Sequence, residues 1–338
     1  MHDVLELVSP LERLEFDTQQ LLTNHPPVWE DANKQAVFNI SSPDGCMHRG
    51  RLLFTRWPAM PLPEKVPMVE ALQALVGRSD VYDYAPVLRE PESVEWHVNF
   101  ADPRLFSAYG SPLMAQDELQ VAEHPALGAI KEALEAGEYT ALTMDRNLPT
   151  PVLIMGVERR CQIATDCNAE EGRPDGLFGD SFSSSEVDAV QKATRPLNPP
   201  TMTNLIAMSA PTHGYGRYDK SQIERILVTA YTAFRAACLE ADRASNITPA
   251  VAIHTGFWGC GAYGGNRTVM TILQIAAAGM AGVDRLVFHT VNEASMSVLH
   301  QAKSLIRSEF SGISEVDTRD ISECVYARGF EWGVSNGT

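Results

Sequence analysis

The spacing of apolar and polar residues divides most of the chain into alternating strands and helices. Short, uninterrupted apolar runs are typical of strands covered on both faces, and a strict apolar–polar alternation is typical of a strand with one open face. Apolar residues at intervals of three and four instead indicate helices. Strands are predicted at residues 95–100, 152–155, 205–208, 250–254 and 285–290. Helices are predicted at residues 125–136, 186–193, 219–236 and 268–280.

The last third of the chain shows the clearest order of elements. A predicted strand at 250–254 is followed by a glycine-rich loop at 255–266, a helix at 268–280 and a second strand at 285–290. This order is a strand–helix–strand unit, which joins parallel strands of one sheet. The sequence therefore predicts an α/β fold with a mixed or parallel central sheet.

The N-terminal part of the chain has the signals of helices. Ser9-Pro10-Leu11-Glu12 offers an N-cap, a proline at the first helical position and a capping-box glutamate, which predicts a helix to about Leu22. A second helix is predicted at residues 69–76. We therefore expect residues 1–90 to form a helical extension packed on the core, and residues 311–338 to form a C-terminal tail.

Composition narrows the class of protein. The chain has 338 residues and a net charge of −16 from 43 acidic and 27 basic side chains, which disfavours duplex nucleic acid as a partner. No apolar run approaches the ~18 residues that span a bilayer, and the N-terminus lacks the pattern of a signal peptide, so we expect a cytoplasmic protein without a membrane partner. The six cysteines and nine histidines lack metal-site spacing, which predicts reduced thiols and no metal.

The loop at 255–266 carries the strongest chemical signal. It places five glycines between a strand and a helix, and glycine lets the backbone approach a ligand closely. The helix that follows presents unpaired N–H groups, so the loop is typical of a phosphate or diphosphate site, although a tight turn would need some of the same glycines. Gly259, Gly261 and Gly264 fit the dinucleotide pattern G-x-G-x-x-G, but Asp284 precedes the second strand instead of ending it, which disfavours a Rossmann enzyme.

Two motifs resemble the poly(ADP-ribose) glycohydrolase family, whose catalytic core is an elaborated macrodomain. The run T-G-F-W-G-C-G-A-Y-G-G-N at 255–266 is similar to the second diphosphate-binding loop of that family. Upstream, Phe100-Ala101-Asp102 followed by Gln116-Asp117-Glu118 is similar to the catalytic motif Phe-Ala-Asn, three glycines, and Gln-Glu-Glu. The resemblance covers about residues 95–300. It implies a macrodomain-like mixed central sheet flanked by helices, with the ADP-ribose-binding catalytic core at 91–310.

The resemblance also implies roles for individual residues. Glu118 corresponds to the catalytic glutamate and Asp117 to the glutamate before it. On a helix the two side chains point about 100° apart, so we expect only one to face the scissile bond. Asp102 stands where the family has the asparagine that holds the ribose hydroxyls, and Asn99 stands where it has an aspartate. The implied substrate-binding residues are Asn99, Asp102, Ser107, Ala108, Gln116, Gly259, Cys260, Gly261, Ala262, Tyr263 and Gly264.

Two departures from the family pattern bear on the ligand. Phe106-Ser107-Ala108 replaces three consecutive glycines, and side chains there would intrude where the backbone meets the diphosphate and ribose. We therefore expect either a different path for this loop or a different ligand. Phe257 replaces an asparagine on the adenine side of the second loop.

The implied activity is hydrolysis of a ribosyl O-glycosidic bond in an ADP-ribose conjugate, without a cofactor. A carboxyl group can protonate the leaving oxygen and then activate water, provided that burial beside residues such as Leu113 and Met114 raises the pKa of Glu118. The expected partner is ADP-ribose or an ADP-ribosylated substrate, and the acidic balance favours a single ADP-ribose unit over a polyanionic polymer. The alternatives are a macrodomain that binds ADP-ribose or another nucleotide without cleaving it, and an NAD- or nucleotide-sugar-processing enzyme on the same fold.

Overall fold

The computed structural model describes residues 8–89, 92–212 and 214–335. The part of the predicted N-terminal extension at residues 1–7 and the last three residues of the predicted tail lie outside this range. The strands are β1 (Glu12–Asp17), β2 (Arg51–Arg56), β3 (Lys65–Pro67), β4 (Leu75–Arg78), β5 (Val94–Phe100), β6 (Met144–Asp145), β7 (Leu148–Pro149), β8 (Val152–Ile163), β9 (Thr194–Met208), β10 (Val251–Gly256), β11 (Arg285–His289) and β12 (Glu315–Asp317). The helices are α1 (Thr18–Asn24), α2 (Ala32–Ser41), α3 (Met68–Ala74), α4 (Gln116–Glu123), α5 (Ala126–Ala136), α6 (Ser181–Ser184), α7 (Val187–Ala193), α8 (Lys220–Ala244), α9 (Arg267–Ala281), α10 (Glu293–Glu309) and α11 (Thr318–Ala327).

An eight-stranded mixed sheet forms the centre of the molecule. Its strand order is β1-β2-β8-β9-β5-β10-β11-β4. The five strands from β9 to β4 are parallel to their neighbours, whereas β9–β8, β8–β2 and β2–β1 pair antiparallel. The predicted α/β class with a mixed sheet flanked by helices is therefore confirmed.

Apolar residues cover both faces of this sheet. On β9, Ile206 and Met208 belong to the larger core cluster, which includes α8 and α9, while Leu205 and Ala207 belong to a second cluster with α5. This division follows from the alternation of side chains along a strand. The short, wholly apolar run that predicted a strand covered on both faces at 205–208 is thereby explained.

The predicted strand–helix–strand unit in the last third of the chain is confirmed. β10 and β11 pair in parallel, with Ile253 opposite Leu286. Asn266 caps α9 by accepting hydrogen bonds from the backbone N–H groups of Thr268 and Val269. Gly282 ends the helix with a φ of +77°, a conformation that favours glycine.

The expectation of a helical N-terminal extension is wrong for part of residues 8–89. The helix predicted from the cap at Ser9 is replaced by strand β1, whose exposure alternates residue by residue, and a helix begins only at α1, where Asp17 is the N-cap. Pairing of β1 with β2 outweighs the local capping signal, because it adds a full ladder of backbone hydrogen bonds. The predicted helix at 69–76 is α3, but its last residues form β4. The sheet thus draws β1, β2 and β4 from the N-terminal side of residue 90.

The C-terminal region is folded rather than a simple tail. β12 pairs antiparallel with β3, and α11 packs against α8. Beyond α11, Gly333 donates a backbone hydrogen bond to the carbonyl of Gly264 at 2.8 Å. The chain end described here therefore lies against the glycine-rich loop. Among the described residues, no helix combines the length and the apolar character needed to cross a bilayer.

Candidate functional site

The glycine-rich loop between β10 and α9 follows a path that requires glycine. Gly259 has a φ of +71°, and a Cβ atom at this position would lie 2.4 Å from the Cβ of Ala210. A Cβ at Gly265 would lie 2.7 Å from the carbonyl oxygen of Gly259. Trp258 is fully buried and donates its ring N–H to the carbonyl of Met208 at 3.0 Å. The loop is therefore anchored by a tryptophan and turned by glycines that no other residue replaces without strain.

This loop offers backbone donors to a ligand. Within the part of the chain that the structure describes, the N–H groups of Gly259, Gly261 and Ala262 have no hydrogen-bond partner. Successive backbone N–H groups of this kind make an anion-binding concavity, and the N-terminus of α9 adds the positive end of its dipole. The predicted diphosphate site thus has the donors that it needs.

The loop after β5 accommodates the side chains that replace the family's glycines. Phe106 has a φ of +52°, the conformation that a glycine would adopt freely, and its ring is fully buried in the core cluster around α5. Ser107 is exposed, and its hydroxyl donates to Oδ2 of Asp102 at 2.8 Å. The phenyl ring therefore points into the core instead of into the space where a ligand would lie.

The paired carboxyl groups stand in the first turn of α4. The side chain of Gln116 accepts from the N–H of Phe100 at 2.8 Å and donates to the carbonyl of Val98 at 3.1 Å, which ties the helix start to the end of β5. Asp117 accepts a hydrogen bond from the Asn99 amide at 3.0 Å. Glu118 accepts from the N–H of Ala115 at 3.0 Å.

Burial raises the pKa of both carboxyl groups. Asp117 and Glu118 are 5% and 2% exposed. Burial, reinforced by the charge of Glu118, raises the pKa of Asp117 well above its usual range. Burial also raises the pKa of Glu118, although the hydrogen bond from Ala115 and the charge of Lys34 oppose the shift. Of the two apolar residues expected to bury Glu118, Met114 is fully buried and Leu113 is only partly buried. The pair therefore retains a proton at a pH where exposed carboxyl groups have lost theirs.

The two loops meet through Tyr263 and Asp102. The Tyr263 hydroxyl donates to Oδ1 of Asp102 across the site. Burial and the Asp102 carboxylate raise the pKa of Tyr263, so that its hydroxyl keeps the proton it donates. Asp102 also interacts electrostatically with Asp117 and Glu118. The structure thus brings the residues predicted from the two separate motifs into one cluster.

Some predicted site residues face away from one another. Asn99 bonds to Asp117 and to Gln120, at 3.0 and 2.9 Å, and makes no hydrogen bond with Asp102. The exchange of asparagine and aspartate relative to the family therefore does not create a directly bonded pair. The thiol of Cys260 points back to the carbonyl of Trp258 at 3.5 Å.

Sequence reasoning missed two residues of this cluster. Gln120 joins Asn99 to the hydroxyl of Tyr84, to which it donates at 3.2 Å. Lys34, on α2, is fully buried and reaches the loop that contains Ala108. Nothing in the local pattern marks Lys34, because a single lysine in an amphipathic helix is usually solvated.

One family model and several solved structures are similar to this chain. Residues 167–298 match the family model described as Poly (ADP-ribose) glycohydrolase (PARG), Macro domain fold. No curated protein sequence matches the chain. Similar solved structures include poly(ADP-ribose) glycohydrolase from Thermomonospora curvata, with 13% identity over 87% of this chain and 85% of that chain, at a TM-score of 0.43. The same protein bound to the inhibitor ADP-HPD has 14% identity over 85% of this chain and 95% of that chain, at a TM-score of 0.45.

A further similar structure is poly(ADP-ribose) glycohydrolase from Deinococcus radiodurans in complex with ADP-ribose. It shares 16% identity over 73% of this chain and 90% of that chain, at a TM-score of 0.40. The match at 167–298 includes the glycine-rich loop on which the resemblance chiefly rests. In this segment the chain is similar to the poly(ADP-ribose) glycohydrolase family, as its glycine-rich loop predicts.

Proposed function

We propose that the protein is an ADP-ribosyl glycohydrolase of the poly(ADP-ribose) glycohydrolase type. The observation that carries this proposal is the convergence of two loops from distant parts of the chain. Tyr263 of the glycine-rich loop bonds to Asp102, beside the buried carboxyl groups at the start of α4. A diphosphate site and a carboxylic acid with a raised pKa are the two components that hydrolysis of an ADP-ribose conjugate requires.

Binding would rest on the backbone of the glycine-rich loop. The open N–H groups of Gly259, Gly261 and Ala262 suit the diphosphate, and no metal or lysine is needed for a site of this kind. Asp102, at the meeting point of the loops, suits the ribose hydroxyls as an acceptor. Its present bonds to Ser107 and Tyr263 would have to be exchanged for bonds to the ligand.

Glu118 is the proposed general acid and base. Its carboxyl proton passes to the leaving oxygen as the bond between that oxygen and ribose C1 breaks, leaving an oxocarbenium-like sugar. The Glu118 carboxylate then takes a proton from the water that attacks C1, which restores the acid. The raised pKa of Glu118 supports this role, because the acid must be protonated when the substrate binds. Asp117 would act as the buried neighbour of Glu118, since two carboxyl groups held close together favour a pair that shares a proton.

The charge of the protein favours a single ADP-ribose unit as the substrate. With a net charge of −16, the chain repels an extended polyanion, whereas backbone donors act only locally on one diphosphate. A mono-ADP-ribosylated side chain or the terminal unit of a polymer is therefore the proposed substrate.

A second function has one observation in its favour. Glu118 is only 2% exposed and its carboxylate is bound to the N–H of Ala115, so the side chain must turn before it reaches a substrate. A protein that binds ADP-ribose without cleaving it would have no need for that turn.

The test compares Glu118→Gln with the matched variant Glu224→Gln on the exposed side of α8. We expect Glu118→Gln to slow the release of ADP-ribose from an automodified substrate by at least about 100-fold, the usual contribution of a general acid. Its affinity for ADP-ribose, measured by calorimetry, should stay within about tenfold of wild type, or about 1.4 kcal/mol. Glu224→Gln should change neither quantity.

Each other outcome selects a different interpretation. Full activity of Glu118→Gln would reject the glutamate mechanism. A wild-type protein that binds ADP-ribose and releases none over a long time course would be a binding module. A wild-type protein that does not bind ADP-ribose would instead favour an enzyme that processes NAD or a nucleotide sugar.

A further inference from the structure

The loop that replaces the family's three glycines is held from outside by an N-terminal segment at residues 28–34. The N–H groups of Glu30 and Asp31 both donate to the carbonyl of Gly110, at 2.9 and 3.1 Å. The N–H of Val28 donates to the hydroxyl of Tyr109 at 2.7 Å. Consecutive residues of the loop are thus bonded to one short segment that lies about 80 positions earlier in the chain.

The contact between the two segments is close. A Cβ atom at Gly110 would lie 2.4 Å from the carbonyl oxygen of Val28, so only glycine fits there. The ring of Trp29 packs edge-on against Tyr109, with centroids 5.3 Å apart. The N-terminal segment therefore acts as a splint, by which we mean residues 28–34 bonded along residues 108–110.

Lys34 is the charged member of the splint. Its side chain is fully buried, and its ammonium group donates to the carbonyl of Tyr109 at 2.8 Å and to that of Ala108 at 3.5 Å. A buried ammonium is unfavourable unless it is compensated. The compensation comes from those carbonyls and from four acidic side chains around it: Glu30, Asp31, Asp117 and Glu118.

Lys34 holds the middle of the loop that connects the proposed ribose contact to the proposed general acid. The loop runs from Asp102, which is bonded to Ser107, through Ala108 and Tyr109 to the start of α4. A group that fixes its middle therefore fixes the distance between the proposed ribose contact and Glu118.

We propose that Lys34 is a positioning residue for the hydrolysis proposed above, in which its ammonium group fixes the loop at Ala108 and Tyr109 and compensates the charge of the carboxyl pair. The proposal rests on the proposed function for its catalytic readout. Lys34 does not touch the reacting atoms, and it acts through the loop and through Glu118. Misplacing a reacting group by about 1 Å can slow a reaction about 100-fold, so the loss of such a support would be measurable.

The charge of Lys34 provides a signature that a purely structural residue would lack. Burial lowers the pKa of Lys34 to about 8, against the opposing effect of Glu118, Asp31, Asp117 and Glu30. Above that pH the ammonium loses its proton, so the support of the loop weakens. We therefore expect the rate of hydrolysis to fall above about pH 8.

The experiment compares Lys34→Met, which keeps the length of the side chain, with Lys34→Arg, which keeps its charge. The control is Lys192→Met, whose exposed lysine pairs with Asp188 on α7. We measure kcat and KM from pH 6 to pH 9.5 on a mono-ADP-ribosylated substrate. We expect Lys34→Met to lower kcat at least about tenfold, to change KM less than about threefold and to lose the part of the alkaline fall that begins near pH 8, which leaves the fall caused by deprotonation of Glu118. Lys34→Arg should recover part of kcat and move the alkaline fall to higher pH.

The possible failures are distinguishable. A wild-type kcat and pH profile in Lys34→Met would overturn the proposal, as would a lower kcat with an unchanged alkaline fall, because that result indicates a structural role only. If wild type itself releases no ADP-ribose, the proposed function fails, and hydrogen exchange then decides the role of Lys34. Faster exchange at residues 106–115 in Lys34→Met would support the splint, and unchanged exchange would overturn it. If Lys34→Met does not fold, the exchange of wild type at pH 7 and pH 9.5, each divided by the intrinsic exchange rate at that pH, gives the same decision: lower protection at residues 106–115 than in the rest of the chain at pH 9.5 would support the splint, and unchanged relative protection would overturn it.

Discussion

The two loops that meet at the site are held in their backbone conformations by different physical means. The glycine-rich loop holds its path locally, with Gly259 at a φ of +71° and Asn266 capping the helix that follows. The loop after β5 has Phe106 at a φ of +52°, and its carbonyls are bonded by residues 28–34. The first path is a property of the residues that form it, whereas the second depends on core packing and on a distant segment.

In the loop after β5, glycine should be less destabilising than alanine at position 106, which is the reverse of the usual order. Substitutions at this position are also the most destabilising that we expect. Phe106→Ala should lower the free energy of unfolding by about 4 kcal/mol, because it leaves a cavity in the core. Phe106→Gly should be about 1 kcal/mol less damaging than Phe106→Ala, because glycine removes the strain of a positive φ. Urea denaturation measures both.

Phe54 provides the matched control for that measurement. It is also fully buried and belongs to the same core cluster, but it lies in strand β2 without a positive φ. In that setting, Phe54→Gly should be more damaging than Phe54→Ala by about 0.5–1 kcal/mol. The same order at both positions would contradict the strain assigned to Phe106.

In the glycine-rich loop, the cost of backbone strain at a positive φ can be separated from the cost of a steric clash with Ala210. Gly259→Ala should cost about 3 kcal/mol, since it combines a positive φ with a Cβ 2.4 Å from Ala210. Gly282→Ala, at a φ of +77° with open space around it, should cost only about 1 kcal/mol. The affinity for ADP-ribose should fall in the first variant alone. Equal effects in both would show that steric contact with Ala210 is unimportant.

The smallest effect that we expect is a pH dependence of the stability, which Lys34 gives to the loop after β5. The pKa of Lys34 is about 8 in the folded protein and 10.5 in its ordinary state. Between these values the unfolded chain binds more protons, so the stability of wild type should rise with pH relative to Lys34→Met, by at most about 1.4 kcal/mol per unit. Denaturation at pH 7, 8, 9 and 10 measures this difference, and Lys192→Met should follow wild type throughout. A constant difference between wild type and Lys34→Met would contradict a charged, buried Lys34.

The sequence predicts the parts of the molecule that local chemistry determines. The unit β10-α9-β11 follows from glycine positions and apolar spacing, all within 40 residues of one another. The cap signal at Ser9 fails because β1 gains a partner strand, β2, that lies 40 residues further along the chain. Local propensity carries no information about that partner.

The site divides in the same way. That Glu118, Asp117 and Tyr263 lie in one cluster could be expected from the family resemblance, because each belongs to one of its two motifs. Lys34 could not, since its role comes from a contact with Tyr109 that joins positions 75 residues apart. The burial of Phe106 could not be predicted from the sequence either, because the direction of a side chain at a positive φ depends on the core around it.

The splint limits which segments can be combined in a chimaera of two related proteins. A chimaera that took residues 1–90 from one relative and the remainder from another would keep every residue of both motifs. It would nevertheless combine a splint from one protein with a loop from another. The close contact between Gly110 and the backbone of Val28 would then join two segments that had not evolved together. We therefore expect residues 28–34 and 106–111 to be inherited as a pair, with changes in one followed by compensating changes in the other.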